Sequence, residues 1–496
     1  MPVHPLLLIG CGRMGRGITR MLLSEQHNQP FQIELWIFDP LSEAEDLCQQ
    51  EVRASGVDGK LRHVRELLTK SDSMKLETVV KNSTADPSAT KQVISILKKP
   101  ITQVKPRLIL NTATFSSQQI YIPLALETSC DYIDLGQKLQ PMDTLAAMDV
   151  SIQKNQRQVR VIQECGLAPG LVNMLATDMF YKALTHSAKN HVHTVQMRVG
   201  GLPQHSDKNG NLHYGPTFSP EGLVYEYEGN ANCIRNGELK TTSTFSNPEY
   251  WEDPEEKTSS FGIHPFALEK TNLQTILENR LQKKFIRWQD NTLYLVNLQA
   301  RPTADGTSRM CYDPAIYERV THLEYKTLRF SPHYQTWNKM KEAGSLQTTL
   351  DYWKLNIENP EITGYPDMVL LRVWTQIKTN DRPSIIELIT LHDDIPVGDP
   401  HGFTAMQHLT GWPTVDLTMI LLKYPPGTDI SQRPHLLYPP SAQTAFKRSI
   451  EDVLQNGGII APYELVRGIA YLQSLIAYDR IPLCQLKVDF KSIESK

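Results

Sequence analysis

The run Pro5-Leu-Leu-Leu-Ile9-Gly10-Cys-Gly12-Arg13-Met14-Gly15 decides the fold. A short apolar stretch, Leu6 to Ile9, ends in Gly-x-Gly-x-x-Gly, and Ile18, Met21 and Leu22 then recur on one helix face. Strand, glycine turn and amphipathic helix in that order form a dinucleotide-binding fingerprint. Gly10 makes the tight turn, Gly12 lets the backbone approach a pyrophosphate, and Gly15 lets helix and strand meet closely. The helix N-terminus adds N–H groups and partial positive charge. Gly10, Gly12, Arg13, Met14 and Gly15 are therefore the expected pyrophosphate-binding set.

Asp39 ends the next apolar run, close to the spacing at which an acid meets the adenosine ribose hydroxyls. It favours NAD over NADP, because its carboxylate would repel a 2′-phosphate and no Arg or Lys follows until Arg53. The alternative is that Asp39 with Pro40 only caps the second helix. Working outward, Leu6 to Ile9, Ile33 to Phe38, Leu76 to Val80, Arg107 to Leu110, Tyr132 to Leu135 and Val159 to Ile162 read as six buried strands. Helix-start signals lie between them: Ser42 with Glu45 has the capping-box pattern, and Asp86-Pro87 places an acid before a first-turn proline. The class is α/β, a Rossmann doubly wound parallel sheet followed by a second, α+β domain.

Past Leu175 the texture becomes alternating. His193 to Val199 and Val369 to Trp374 read as strands of a mixed sheet, and the acidic patch Pro248 to Lys257 as a solvated loop. Ala405 to Leu422 and Tyr463 to Tyr478 regain helical texture, with Gly457-Gly458 as a break. Three domains are expected: residues 1–170 for the dinucleotide, 171–400 for substrate and oligomerisation, and 401–496 as a helical segment.

Composition narrows the function. Lys plus Arg number 51 against 54 Asp plus Glu, net charge −3, without a long one-sign run, which argues against nucleic acid as partner. Seven cysteines without a CxxC pair or metal-ligand spacing argue against a disulfide framework and a metal site. The short run Pro5 to Ile9 does not suit a signal segment, and no stretch is apolar enough to span a membrane, so a cytoplasmic protein is expected.

Beyond the carboxyl ends of the strands, two loops are placed to meet the nicotinamide and the substrate. Asn111-Thr112-Ala113-Thr-Phe115 offers amide and backbone groups, and Cys165-Gly166-Leu-Ala-Pro-Gly170 fixes a sharp exit into a helix. Hydride transfer needs no nucleophile, so Cys165 is expected to be a buried structural thiol. Asp134 either orients substrate or caps the next turn.

Further runs complete an ordered set: Val199-Gly-Gly-Leu-Pro-Gln204, Phe218-Ser-Pro-Glu-Gly-Leu223, Ile234-Arg-Asn-Gly237, Leu323-Glu-Tyr-Lys-Thr-Leu-Arg329 and Val369-Leu-Leu-Arg-Val373. In this order the chain resembles the saccharopine dehydrogenase-like family, and within it the bacterial lysine 6-dehydrogenases. The resemblance implies a bilobal homo-oligomer, a dimer or larger, whose C-terminal helices pack back on the first lobe. It implies NAD-linked oxidation of the amine-bearing carbon of an amino acid such as L-lysine, giving an imine and then a semialdehyde that cyclises. Saccharopine or carboxynorspermidine dehydrogenase-type reactions are alternatives, as is a dinucleotide-binding regulatory protein without turnover.

Under that resemblance Arg329 grips a substrate carboxylate, or else forms an ion pair between strands. Glu221 and Tyr227 recognise a substrate ammonium, with Glu221 equally placed to begin a helix. Lys326 accepts a proton if desolvated, and is otherwise a solvated strand residue. The family's H-T-S-G-G run is missing. Phe261 to Lys270 stands there, with His264 as the substitute histidine, and an insertion near 271–319 follows, read as a lid or an oligomer contact with helical texture at Leu273 to Leu281.

Overall fold

The structure is a computed structural model. It describes residues 1–57, 59–82, 87–114, 117–136, 141–155, 158–187, 190–203, 218–251, 267–268, 286–289, 292–295, 298–344, 351, 367–379, 382–393, 403–425, 445–448, 450–465 and 489–492. Two compact units result, one formed by Met1–Thr177 with Gln407–Ile476, the other chiefly by Asp178–Val397.

The first unit is a seven-stranded parallel sheet. Its strands are β1 (Val3–Ile9), β2 (Gln32–Phe38), β3 (Leu61–His63), β4 (Leu108–Asn111), β5 (Asp131–Asp134), β6 (Arg160–Ile162) and a late segment, Gly458–Ile460. From one edge the order is Gly458–Ile460, β6, β5, β4, β1, β2, β3. Chain order therefore reverses between β1 and β4, the crevice at which ligands of such sheets bind. Leu6, Leu7, Leu8 and Ile9 are each at most 1% exposed, and a buried side chain of this size stabilises by roughly 1.5–3 kcal/mol. Helices α1 (Arg13–Glu25), α2 (Ser42–Ala54), α3 (Lys70–Asn82), α4 (Pro87–Val104), α5 (Gln118–Thr128), α6 (Met142–Lys154) and α7 (Leu171–His186) follow the strands. Ile18, Met21 and Leu22 of α1 are buried, as their spacing predicts.

Two local readings are corrected. Leu76 to Val80 is not a strand but lies within α3, and the third strand is Leu61–His63, too short and polar to register as an apolar run. The Ser42–Glu45 capping box does not form. Leu41 stands at the N-cap without a side-chain bond, while Glu45 accepts from the Asp39 N–H at 2.9 Å and pairs with His63 Nδ1 at 3.0 Å.

Late chain joins this unit in two ways. Gly458–Ile460 pairs in parallel with β6, and the long helix α8 (Ala405–Lys423) is tied to the early chain beyond its first turn. Gln407 donates to the Arg13 carbonyl at 2.8 Å, and Thr414 donates to the Cys165 carbonyl at 2.7 Å. Arg160, 1% exposed, is the strongest tie: it pairs with Asp131 and donates to the carbonyls of Leu421 and Tyr424.

The second unit is a nine-stranded mixed sheet. Its central strands are β7 (Val192–Pro203), β15 (Val320–Phe330), parallel to β7, and β16 (Asp367–Thr379), antiparallel to it. Between β7 and β15 in the chain come β8 (Asn230–Arg235), β9 (Glu238–Ser243), β10 (Glu249–Trp251), then β11 (Ala267–Leu268), β12 (Ile286–Gln289) and β13 (Thr292–Leu295), which form a small sheet of their own, and β14 (Leu298–Arg301). β17 (Arg382–Asp393) and Asp489–Ser492 extend the far side. Two helices matter for the site, Pro220–Glu228 and Ser331–Ala343. Among the described residues no helix is long and apolar enough to cross a membrane.

Replacing Arg160 with Met is expected to lower the stability of the first unit by about 3–5 kcal/mol, because Asp131 is left buried without its partner. The urea midpoint measures this. An unchanged midpoint would show that Arg160 does not tie α8 to the sheet.

Candidate functional site

The site of the first unit is built around the turn after β1. Gly10 has φ +96°, and a Cβ there would fall 2.5 Å from the Ala113 nitrogen. A Cβ on Gly15 would fall 1.9 Å from the Gly10 carbonyl oxygen, a separation no side chain tolerates. Gly12 behaves differently: it is exposed, stands at the N-cap of α1, and a Cβ there meets nothing within 4 Å. Lacking a side chain, it cannot satisfy the first-turn N–H groups of α1 itself, the arrangement helix N-termini use for phosphate. Arg13 and Met14, both half-buried, begin that helix.

Asp39 closes the turn. Its Oδ2 accepts from the Cys11 N–H at 2.7 Å and its Oδ1 from the Leu41 N–H at 2.9 Å. It is therefore no helix cap but a clamp between the glycine turn and the end of β2, and each oxygen keeps a lone pair for a further donor. Burial raises its pKa, opposed by those two N–H bonds and then by the charges of Arg65 and Arg16. Arg65 was missed from sequence, lying well beyond Arg53. Its Nη2 donates to the carbonyls of Asp39 and Pro40 at 2.7 and 2.9 Å, and its Nε lies 3.6 Å from Glu45.

The neighbouring loops support the turn. Asn111, fully buried, donates to Ser117 Oγ and the Tyr132 hydroxyl and accepts from the Ala113 N–H at 3.1 Å. Thr112 Oγ1 donates to the Gly10 carbonyl at 2.6 Å. Asn111, Thr112 and Ala113 thus brace Gly10. Asp134 accepts from the N–H groups of Glu164 and Gly136 and from Gln118 Nε2, so its carboxylate clamps the turn after β5, the second of its two readings. Gly166 packs where a Cβ would lie 2.0 Å from the Leu135 carbonyl oxygen. Cys165 is fully buried, as expected of a structural thiol.

In the second unit the sequence-selected residues fall into two groups. Lys326 belongs to an ion network across the sheet: its Nζ donates to Glu249 at 2.7 Å and to the Asn247 carbonyl at 2.9 Å, with Glu324 at 3.5 Å. Arg198 grips Glu249 through two nitrogens at 2.6 and 3.0 Å, and Arg235 takes Glu324 at 2.7 Å. Lys326 is buried and matched by two carboxylates, which corrects its reading as a solvated strand residue. Glu249 corrects the reading of its patch as a solvated loop, since it lies on β10 within this network. Burial acts to raise its pKa, but Arg198 and then Lys326 outweigh that and hold it at about 2.

The second group surrounds the helix Pro220–Glu228. Glu221 accepts from Ser219 Oγ at 2.9 Å while Ser219 caps the Gly222 N–H, so Glu221 is the helix-start acid of the two alternatives. Tyr227 is 1% exposed, bonded to His333 Nε2 at 2.9 Å and set edge-on to Phe245 and Trp337. It is a core residue rather than an ammonium reader. Arg329, 3% exposed on β15, donates to the Leu328 carbonyl and lies with its Nη2 3.8 Å from Glu226 Oε2. Glu226 was not singled out from sequence, although Leu223, Glu226 and Tyr227 sit at i, i+3 and i+4, which puts an acid beside an apolar stripe. Burial pushes its carboxyl up to about 7, with Arg329 opposing. His264 and Leu273 to Leu281 lie outside the described residues, as do parts of 271–319. Among the described residues no group of three or more His, Cys, Asp or Glu could hold a metal ion.

The signature of the saccharopine dehydrogenase C-terminal domain matches residues 166–441, more than half of the chain. The chain belongs to that family. This saccharopine dehydrogenase-family chain is similar in fold to the apo saccharopine dehydrogenase (L-Glu forming) of Saccharomyces cerevisiae, at 12% identity and TM-score 0.54, with 98% of this chain and 99% of that one covered. It is also similar to the homospermidine synthase of Legionella pneumophila in complex with NAD, at 10% identity and TM-score 0.51, covering 99% and 92%.

The low carboxyl pKa of Glu249 gives a prediction with a definite sign. A carboxylate depressed on folding stabilises above its unfolded value near 4.5, and that contribution disappears as pH falls toward about 2. Glu249→Gln should therefore destabilise at neutral pH by about 3–5 kcal/mol and flatten the acid dependence. Thermal melting of both proteins over this range tests it, and parallel curves would contradict the network.

Proposed function

We propose that the chain is an NAD-dependent oxidoreductase acting on the side-chain amine of an amino acid, most closely in the manner of a lysine 6-dehydrogenase, as a cytoplasmic homo-oligomer. The observation that carries the reading is the Gly10–Gly15 turn, clamped by Asp39 and open only at Gly12. Those residues fit a dinucleotide: Gly12 and the start of α1 receive the pyrophosphate, and the outward lone pairs of Asp39 receive ribose hydroxyls. When bound, NAD supplies a nicotinamide ring that accepts hydride. The homospermidine synthase of like fold is recorded in complex with NAD, which supports the choice of cofactor.

Arg65 does not argue for NADP, since its guanidinium is directed at the carbonyls of Asp39 and Pro40. The Asp39 carboxylate disfavours a 2′-phosphate. On the substrate side, Arg329 is buried and offers a guanidinium suited to a carboxylate fork. A carbon bearing –NH₃⁺ has no nitrogen lone pair to assist hydride departure, so the substrate amine, near ~10.4 in water, must be neutral first.

The purified protein should reduce NAD, in preference to NADP, with one member of a panel of basic amino acids that includes saccharopine, and faster as pH becomes alkaline. Absorbance of the reduced cofactor reads it. An NADP preference, or a flat profile from neutral to alkaline pH, would contradict the reading. Arg329→Lys should raise KM by roughly tenfold or more, the loss of one charge-assisted pair. An unchanged KM would show that Arg329 holds only the protein.

A further inference from the structure

We infer that Glu226 is the group that takes the proton from the substrate ammonium, next to the Arg329 that holds the carboxylate. This rests on the amine-oxidising reading above and deepens it. Four observations carry it. The Oε2 atom is sealed from solvent although the side chain as a whole is 23% exposed, so the carboxylate reaches inward from an accessible edge. It accepts no hydrogen bond from any described residue, unlike Glu249, Glu324, Asp134 and Asp39, whose carboxylates are all engaged. Its partner Arg329 is 3.8 Å away, close enough to attract but too far for a hydrogen bond. Its backbone is fixed, because the Glu226 carbonyl accepts from the Ala304 N–H at 3.0 Å, so the side chain springs from a rigid point.

The surroundings separate Glu226 from the other acids of this unit. Arg329 and Tyr325 face it from β15 and Tyr334 from the helix Ser331–Ala343. On its own helix, Tyr225 is turned to Asp305 at 2.6 Å and Tyr227 to His333. Burial and the Arg329 charge together keep His333 well below the ordinary histidine range, so a neutral imidazole lies behind the pair rather than a second cation. Lys326, the sequence candidate for this task, is held by Glu249 and Glu324. Among the described residues, Glu226 is thus a carboxyl with open acceptor capacity beside Arg329.

The step balances simply. One N–H bond of the substrate –NH₃⁺ breaks, its electron pair stays on nitrogen, and the proton passes to the Glu226 carboxylate at its exposed edge. That nitrogen pair then supports hydride departure from the adjacent carbon, and Glu226 returns its proton to solvent at the exposed edge. A carboxyl near 7 is a better match for an amine proton than one at the ordinary value. The raised pKa also has a cost in stability: a carboxyl raised on folding stabilises below about 4.5, and that contribution is lost as pH rises through about 7.

Two variants of the full chain test this, Glu226→Gln and Glu226→Asp, each with two readouts. The pH profile of kcat/KM for the wild type should show an acidic limb that breaks near 7 into the gentler rise toward alkaline pH set by the substrate amine. Glu226→Gln should lose about 10²–10⁴-fold in kcat and lose that limb, while Glu226→Asp keeps the limb at reduced rate. In melting experiments without cofactor or substrate, the wild type should lose stability relative to Glu226→Gln as pH rises from about 4.5 to 8. A Glu226→Gln enzyme within threefold of wild type with the same limb overturns the inference and leaves the dehydrogenase reading intact. A wild type that melts as expected but oxidises no amine at any pH overturns the dehydrogenase reading, and this inference with it. Parallel melting curves overturn the buried, unengaged carboxyl on which the inference stands.

Discussion

The carbonyl oxygen of Gly10 occupies the place where any side chain at position 15 would have to stand. That contact fixes how α1 leaves β1, and the rest of the first unit follows from it. Thr112 and Ala113 press on Gly10 from the β4 loop, and Asp39 draws Cys11 toward the end of β2. Three strand ends are thereby gathered at one turn, where the chain order of the sheet reverses. Only Gly12 faces open space. A turn so tightly closed elsewhere and so open at one residue is shaped by what it receives.

The second unit divides its charges between two tasks. Arg198, Arg235, Lys326, Glu249 and Glu324 satisfy one another across the sheet. Arg198 is further packed on the Trp374 ring at 5.1 Å, which fixes its plane. Arg329 and Glu226 are set apart from that network and joined only loosely to each other.

What could be read from the sequence was local. The fingerprint, the α1 face, β7, β16 and α8 each declare themselves within about 20 residues, because spacing alone defines a turn or a helix face. What could not be read depended on distant partners. β3 is an edge strand of three residues, and the seventh strand, Gly458–Ile460, needs β6, some 300 residues earlier, to exist. The acidic patch around Glu249 looked solvated because Arg198 and Lys326, which neutralise it, lie 51 and 77 residues away. Asn111, Thr112 and Asp134 were placed at the right end of the sheet, yet their side chains brace turns. Glu226 went unseen although its position beside an apolar stripe was visible, since a neighbouring acid, Glu221, already explained the helix start.

The turn is built to hold a dinucleotide, and Gly12 is the residue that isolates this property. The protein leaves room for a Cβ there, and its extended backbone, φ −66° and ψ −173°, suits valine, so Gly12→Val should fold as the wild type does. Calorimetric titration with NAD should give saturable one-site binding to the wild type and none to Gly12→Val at an unchanged melting temperature. Equal binding by the two proteins, or no binding of either pyridine nucleotide to the wild type, would contradict the account.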